Sequence, residues 1–244
     1  MQLSLIVPAF NEAGLLQDTL QHIQDASAVL EAREWETEVI VCDNNSTDAT
    51  AEIARTCGAQ VVFESENQIA RARNRGAEAA TGDWLWFIDA DSQPSRELFA
   101  AAANEMERNR AVAIGTTLEF ENVDPVFRFV AGIWKAWSLL WSHMAGSFIV
   151  VEASAFREIG GFSHEFFAGE ELDLSIRLRR WGKAQSPRRT VKVLRGVPLL
   201  TSGRKARLYT WGESLRFLVR VLLSPFGTMK RREACFIWYD GRRE

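Results

Sequence analysis

Short apolar runs alternate with helical spacings along the first hundred residues, and each run ends in a polar cluster. Leu3–Val7 is an apolar run closed by Pro8 and then Asn11-Glu12, after which Leu15, Leu16, Thr19, Leu20 and Ile23 recur at the spacing of one helix face. Glu38–Cys42 is a second β-rich run that breaks into Asp43-Asn-Asn-Ser-Thr-Asp48. Ala49–Cys57 follows as a helix stopped by Gly58, with Asp48 as its expected cap, and Gln60–Phe63 is a third strand. Asn67–Ala80 is an Ala- and Arg-rich helix terminated by Thr81-Gly82, and Trp84–Ile88 is a fourth strand that runs straight into Asp89-Ala-Asp91. Four strands alternating with helices predict an α/β fold with a doubly wound, mostly parallel central sheet and flanking helices.

In sheets of this kind ligands bind outside the carboxyl ends of the strands, near a reversal of strand order. Pro8–Glu12, Asp43–Asp48 and Asp89–Asp91 all fall at strand ends, so they are expected to converge on a nucleotide-sized cleft. No Gly-x-Gly-x-x-Gly follows the first strand and no Gly-x-x-x-x-Gly-Lys-Ser/Thr occurs, which leaves dinucleotide and P-loop sites without support.

The second half has a different texture. Val112–Phe120 reads as one more strand, and Phe127–Trp141 carries five aromatic side chains among aliphatic ones. That stripe is either core or an acceptor wall touching membrane, and the charges within it argue against a transmembrane span. Glu170-Glu171-Leu-Asp173 opens a helical pattern that ends at Trp181-Gly182. Carboxylates there either compensate the helix dipole or supply a general base.

Composition adds bounds. The chain has 244 residues, 47% hydrophobic and 25% charged, in the range of one globular domain. Cys42, Cys57 and Cys235 lack metal-type pairing, which predicts free thiols in a reducing, cytoplasmic setting. The first residues lack a basic region and break at Pro8, so they read as a strand and not as a signal peptide. A net charge of −3 conceals polarity: residues 1–176 hold 11 Lys+Arg against 28 Asp+Glu, and residues 177–244 hold 18 against 4. The basic tail either neutralises the acidic body or meets a phosphorylated ligand or an anionic inner membrane face. Within it, Arg204 and Lys205 belong to a basic loop able to close over a diphosphate, and Leu208–Leu223 is an amphipathic stretch suited to a membrane surface, the body of the protein or a dimer partner.

Asp89 and Asp91 present two carboxylates where the backbone leaves a strand, a spacing that lets both address one divalent ion. Mg²⁺ or Mn²⁺ favours few protein carboxylates plus phosphate oxygens, which suits a diphosphate ligand.

Seven segments in order resemble the motifs of the family 2 inverting glycosyltransferases. They are Val7-Pro-Ala-Phe-Asn-Glu12, Val41–Asp48, Ala72-Arg-Asn-Arg-Gly76, Thr81-Gly-Asp83, Phe87-Ile-Asp-Ala-Asp91, Gly160-Gly-Phe162 and Glu170–Leu178. The resemblance spans Leu3 to about Gly182 and implies the GT-A fold. It implies a glycosyltransferase domain over 1–182, with a nucleotide-sugar half over 1–110 and an acceptor half over 111–182. Residues 183–244 would be a basic helical extension of the same domain. It further implies that Pro8, Ala9 and Glu12 line the nucleotide pocket, that Asp43 takes the base or ribose, and that Arg71 or Arg73 lies near the base and phosphates. Asp89 would be shared between ribose and metal, Asp91 would be the main Mn²⁺ or Mg²⁺ ligand, and Glu171, beside Glu170, would deprotonate the acceptor. Glu171 departs from the usual Asp at its position. The implied donor is a UDP-, GDP- or dTDP-linked sugar and the acceptor a glycan or lipid-linked hydroxyl, with no nucleic acid partner and oligomerisation open. A catalytically silent sugar-nucleotide binding protein is the alternative that the Glu171 departure permits. A nucleotidyltransferase would need a Gly-rich, basic first loop, which Ala9-Phe-Asn-Glu12 is not.

Overall fold

The structure is a computed structural model that describes residues 1–120, 143–204 and 224–239, with Val123, Arg128, Gly132, Leu208, Glu213 and Arg220 between them. Most of the aromatic stripe and of the amphipathic stretch Leu208–Leu223, and Lys205 of the basic loop, lie outside the described residues.

In chain order the first half is β1 (Gln2–Ala9), α1 (Leu16–Glu31), β2 (Glu36–Asp43), α2 (Thr50–Thr56), β3 (Gln60–Phe63), α3 (Ile69–Ala79) and β4 (Trp84–Ile88). Next come β5 (Ser92–Gln93), α4 (Arg96–Glu107), β6 (Ala111–Gly115), β7 (Leu118–Phe120), β8 (Phe148–Glu152), α5 (Ala153–Glu158) and α6 (Glu170–Ala184). Strands β9 (Thr190–Val193) and β10 (Leu199–Thr201) follow, and then the short helices α7 (Pro225–Met229) and α8 (Phe236–Tyr239) flank a 3-10 turn over Arg232–Cys235.

A seven-stranded sheet runs in the order β3-β2-β1-β4-β8-β6-β9. The chain winds outward through β1, β2 and β3 and returns to place β4 on the other side of β1, with all these pairs parallel. That reversal puts the switch point between β1 and β4, where a ligand cleft is expected. Alternation explains why these strands read as continuous apolar runs. Leu3, Leu5, Val7, Trp84, Trp86 and Ile88 face one core with α1 and α4, whereas Ile6, Leu85 and Phe87 face a second core with α3, α5 and α6. Both faces of the sheet are therefore dry.

The Thr81-Gly-Asp83 motif is a clamp that fixes β4 against β1. Gln2 and Asp83 exchange hydrogen bonds, and the Gly82 N–H donates to the buried Ser4 hydroxyl at 2.9 Å. A Cβ on Gly82 would lie 2.7 Å from the Ser4 nitrogen, so no larger residue fits this approach.

Two local expectations are revised, and one strand without a sequence signal is added. Val112–Phe120 is two strands, because the buried Thr116-Thr117 carries the chain from the large sheet to a small one ordered β5-β10-β7. β8 is antiparallel to both β4 and β6; its run Phe148–Val151 is fully buried and too short to show a period. Gly182 does not end its helix, which continues to Ala184; a Cβ there would lie 2.4 Å from the Arg189 carbonyl oxygen, so this glycine serves close packing.

Residues beyond Gly182 hydrogen-bond into both sheets: β9 pairs with β6, and β10 pairs with β5 and β7. The described cysteines are free thiols, with Cys42 and Cys235 buried and Cys57 exposed. Among the described residues no helix is long and apolar enough to cross a membrane.

Candidate active site

A cleft opens at the carboxyl ends of β1 and β4. Pro8, Ala9 and Glu12 line it from β1, Asn67, Ile69 and Ala72 from the α3 side, and Asp89 and Asp91 from the end of β4.

Local chemistry fixes the β1 exit. Asn11 adopts φ 52°, a left-handed conformation that Asn tolerates, and its Oδ1 accepts the Thr47 N–H at 2.8 Å. The Glu12 N–H donates to Thr50 Oγ1, and Asp48 Oδ1 accepts the N–H of Thr50, the first residue of α2. Asp48 thus acts one residue ahead of the helix boundary. Asp43, buried at the end of β2, accepts the Ser46 N–H at 3.0 Å and holds the same loop, while its neighbour Asn44 faces the cleft.

Of the three arginines on α3, Arg73 alone is sealed, at 1% exposure. Its Nη1 donates to Glu170 Oε1 at 2.7 Å, and its Nη2 donates to Asp89 Oδ1 at 2.9 Å and to the Gly146 carbonyl at 2.8 Å. The guanidinium also lies 5.2 Å from the centre of the Phe162 ring. Arg71 and Arg75 instead form surface pairs with Glu66 and Glu78. Arg73 therefore bridges the β4 exit to the start of α6, joining two acidic pairs that are about eighty residues apart in sequence.

The neighbouring motif residue makes a second bridge. Asn74 donates to the Phe162 carbonyl at 2.8 Å and accepts the Phe162 N–H at 2.9 Å, imitating a strand pair. Gly161, at φ 66°, leaves the space: a Cβ there would lie 2.7 Å from Asn74 Oδ1. His164 also contacts the Asn74 amide, and His143 contacts Arg179, so both histidines have structural partners.

Glu170 and Glu171 begin α6, where the helix N-terminus favours negative charge. Burial nonetheless raises the Glu170 carboxyl against the opposing Arg73 charge. Burial, reinforced by the Glu170 charge, pushes Glu171 up to about 8, with Arg73 opposing. Gly146 passes close to both Arg73 and Glu171, and a Cβ there would lie 3.6 Å from the Glu171 carboxyl carbon.

Asp91 is held from the tail side. Its carbonyl accepts the Ser202 N–H at 3.0 Å, and its Oδ1 lies 3.4 Å from Thr201 Oγ1 at the end of β10. Two residues further on, Arg204 Nη2 donates to both Glu12 carboxylate oxygens at 2.7 and 2.8 Å. The described part of the basic loop is thus tied to the β1 exit. Tyr239 of α8 also lines the cleft and had no sequence signal, since it follows a stretch without motifs. Asn44, inside the Asp43–Asp48 cluster, and Asn67, the first residue of the expected helix Asn67–Ala80, also line the cleft and were not singled out.

Asp89 and Asp91 share this cleft, and among the described residues no third His, Cys, Asp or Glu joins them in a metal-binding cluster. Two carboxylates fit a hard divalent ion that completes its shell with phosphate oxygens.

The family model described as glycosyl transferase family 2 matches residues 4–158. The chain belongs to this family and has its GT-A fold. It is 31% identical over 123 residues to glycosyltransferase AglE of Haloferax volcanii, a match covering 48% of this chain and 39% of that protein. It is 26% identical over 222 residues to validoxylamine A glucosyltransferase of Streptomyces hygroscopicus subsp. jinggangensis, covering 74% of this chain and 52% of the relative. A mannosyltransferase from Pyrobaculum calidifontis, solved in complex with GDP-Man and Mn²⁺, superposes with a TM-score of 0.64 at 21% identity, covering 99% of this chain and 65% of that one.

Proposed function

We propose that this chain transfers a sugar from a nucleoside-diphosphate donor to a hydroxyl acceptor with inversion at the sugar C1. The carrying observation is Arg73, which ties Asp89 of the cleft to the Glu170-Glu171 pair through direct hydrogen bonds to Asp89 and Glu170. A nucleotide site and a candidate base thereby share one rigid frame. The GDP-Man and Mn²⁺ bound to the Pyrobaculum mannosyltransferase support the donor class.

Pro8, Ala9, Glu12 and Asp43 would bind the nucleoside, with Arg71 at the rim. Asp91, together with Asp89, would hold Mn²⁺ or Mg²⁺, which supplies positive charge beside the diphosphate when bound. Arg204 would turn from Glu12 to the diphosphate once donor arrives, and Lys205 would add a second charge from the same loop. Arg73 positions Asp89 and Glu170 and is itself shielded from the ligand. Glu171 would accept the acceptor hydroxyl proton while that oxygen attacks C1 opposite the departing diphosphate, so one C–O bond forms as the other breaks. A carboxyl near pH 8 is a stronger base than an ordinary glutamate, and Glu170 at its side sustains that basicity.

The acceptor class is a glycan or lipid-linked hydroxyl, and the basic tail supports a peripheral position at an anionic membrane. Transfer assays with UDP-, GDP- and dTDP-sugars in Mn²⁺, with the product anomer read by NMR, test the reading. Turnover unchanged in both Asp91→Ala and Glu171→Gln would overturn it.

A further inference from the structure

The helix that carries the candidate base begins without help from its own sequence. Its N-cap is Gly169, at φ 73°, which has no side chain to bond the first turn of α6. A helix start leaves N–H groups without intrahelical partners, so its place must be fixed by what surrounds it. The loop over residues 163–168, just ahead of it, is held at two points. On one side Gln68, the N-cap of α3, donates to the His164 and Phe166 carbonyls at 2.9 Å each. On the other the Met229 carbonyl accepts the Phe167 N–H at 2.7 Å and the Ala168 N–H at 3.4 Å. Met229 is the last residue of α7, so a helix-end carbonyl of the tail is the group that receives both amides.

Side chains close the same contact. A Cβ on Gly169 would lie 2.9 Å from Met229 Sδ, so the thioether sits against bare backbone one residue before Glu170. Lys230 pairs with Glu165 and lies 5.1 Å from the centre of the Phe166 ring. The Cys235 thiol donates to the Thr228 carbonyl at 3.4 Å and fastens the 3-10 turn to the end of α7. Tail and acidic pair are near enough to sense each other: burial, and then the Glu170 charge, push the Cys235 thiol up to about 11 and raise the Tyr239 phenol as well.

We propose that Met229 is a positioning residue for the base, and that the tail through it sets where the first turn of α6 holds the Glu171 carboxylate. Proton transfer needs that oxygen within hydrogen-bond reach of the acceptor, and a displacement of about 1 Å can cost ~100-fold in rate. A thioether suits the post, because an unbranched, polarisable chain fills the irregular gap beside a glycine. The contact stands apart from the donor cleft: Gly169, Met229 and Lys230 do not line it, and Tyr239, which does, has its own anchor in the Ile69 N–H at 3.3 Å. This inference rests on the reading of Glu171 as the base given above.

Transfer kinetics of the whole chain test it, with whichever of the UDP-, GDP- and dTDP-sugars supports turnover in Mn²⁺. Met229→Ala is expected to lower kcat by about 10-fold and to leave the donor KM within about 2-fold, and Met229→Leu, which conserves volume, to keep most of the parent rate. In the Glu171→Gln background Met229→Ala should lower kcat by no more than about 2-fold further, because it acts through the carboxylate already removed. Lys230→Glu sets two acids against each other at the exposed end of the contact and leaves the interior alone, so it decides the matter if Met229→Ala does not fold. It is expected to lower kcat by about 3-fold, and the swap Lys230→Glu with Glu165→Lys to return it. Parent-like kcat in the folded variants would overturn the proposal, as would a donor KM that rises in step with the loss or a full loss that persists beside Glu171→Gln. If Glu171→Gln alone turns over like the parent, the base reading fails first and takes this inference with it; if it is slow while Met229→Ala and Lys230→Glu are not, the base stands and the tail has no part in placing it.

Discussion

The two acidic pairs lie at one edge of the sheet under opposite electrostatic conditions. Asp89 and Asp91 leave a strand one residue apart and both line the cleft. Glu170 and Glu171 are adjacent at a helix start, where burial raises both carboxyls and the Glu170 charge raises Glu171 further. The first arrangement favours holding a cation, and the second favours taking a proton. Arg73 serves both by direct bonds to Asp89 and Glu170, so the difference arises from burial and spacing and not from residue type.

The sharpest way to separate the pairs is to neutralise one member of each. Glu171→Gln is expected to lower kcat by about 10²–10⁴-fold with little change in donor affinity, as loss of a general base does. Asp91→Ala is expected to lower kcat by about 10²–10³-fold and to weaken donor binding as well. Steady-state kinetics with a donor titration distinguishes these patterns; equal loss of donor affinity in both variants would merge the two roles.

Breaking the bridge tests whether the pairs depend on each other. Arg73→Met leaves Glu170 buried without its partner and is expected to cost about 3–5 kcal/mol in denaturant melts, whereas Arg71→Met, at a surface pair, should cost under about 1 kcal/mol. Comparable costs would show that burial of the Arg73 triad carries no special energy.

Acidity gives a finer contrast. If Glu171 is the base, kcat/KM should rise with pH and level off above about 8. The stability effect runs the other way. A carboxyl raised in the folded state stabilises fully below its unfolded value of 4.5, and this contribution is lost as pH rises through about 8. Glu171→Gln should therefore be more stable than the parent at pH 9 by about 1–2 kcal/mol, and little different near pH 4. A pH-independent stability difference would remove burial of the charge as its cause.

Much of this was legible in the sequence, for physical reasons that vary with the element. The four strands β1 to β4 were plain because each is a short apolar run that ends in a polar cluster, with β1 and β4 buried on both faces. β8 was not, since five residues of uniform hydrophobicity carry no period and its antiparallel partners are far away in sequence. The choice of Arg73 over its neighbours was recoverable: it shares a helical face with Ala70 and Ala77, whereas Arg71 and Arg75 lie four apart on another. Tyr239 was beyond reach, because its place depends on how the tail returns to the cleft and no spacing encodes that. The Arg204–Glu12 pair was half visible, as the basic loop was readable and its partner Glu12, 192 residues away, was not.

The Asn74 amide that pairs with both backbone groups of Phe162 has a mechanical consequence. It splices the loop before α6 to α3 as a strand would, and Gly76 seats α3 so tightly on β1 that a Cβ there would lie 2.4 Å from the Ile6 methyl. α3 and the segment carrying Glu171 are thereby coupled as one girder with no hinge between them at this joint. Movement on ligand binding then falls to side-chain contacts outside this frame, such as the Arg204–Glu12 pair, while the frame itself stays fixed.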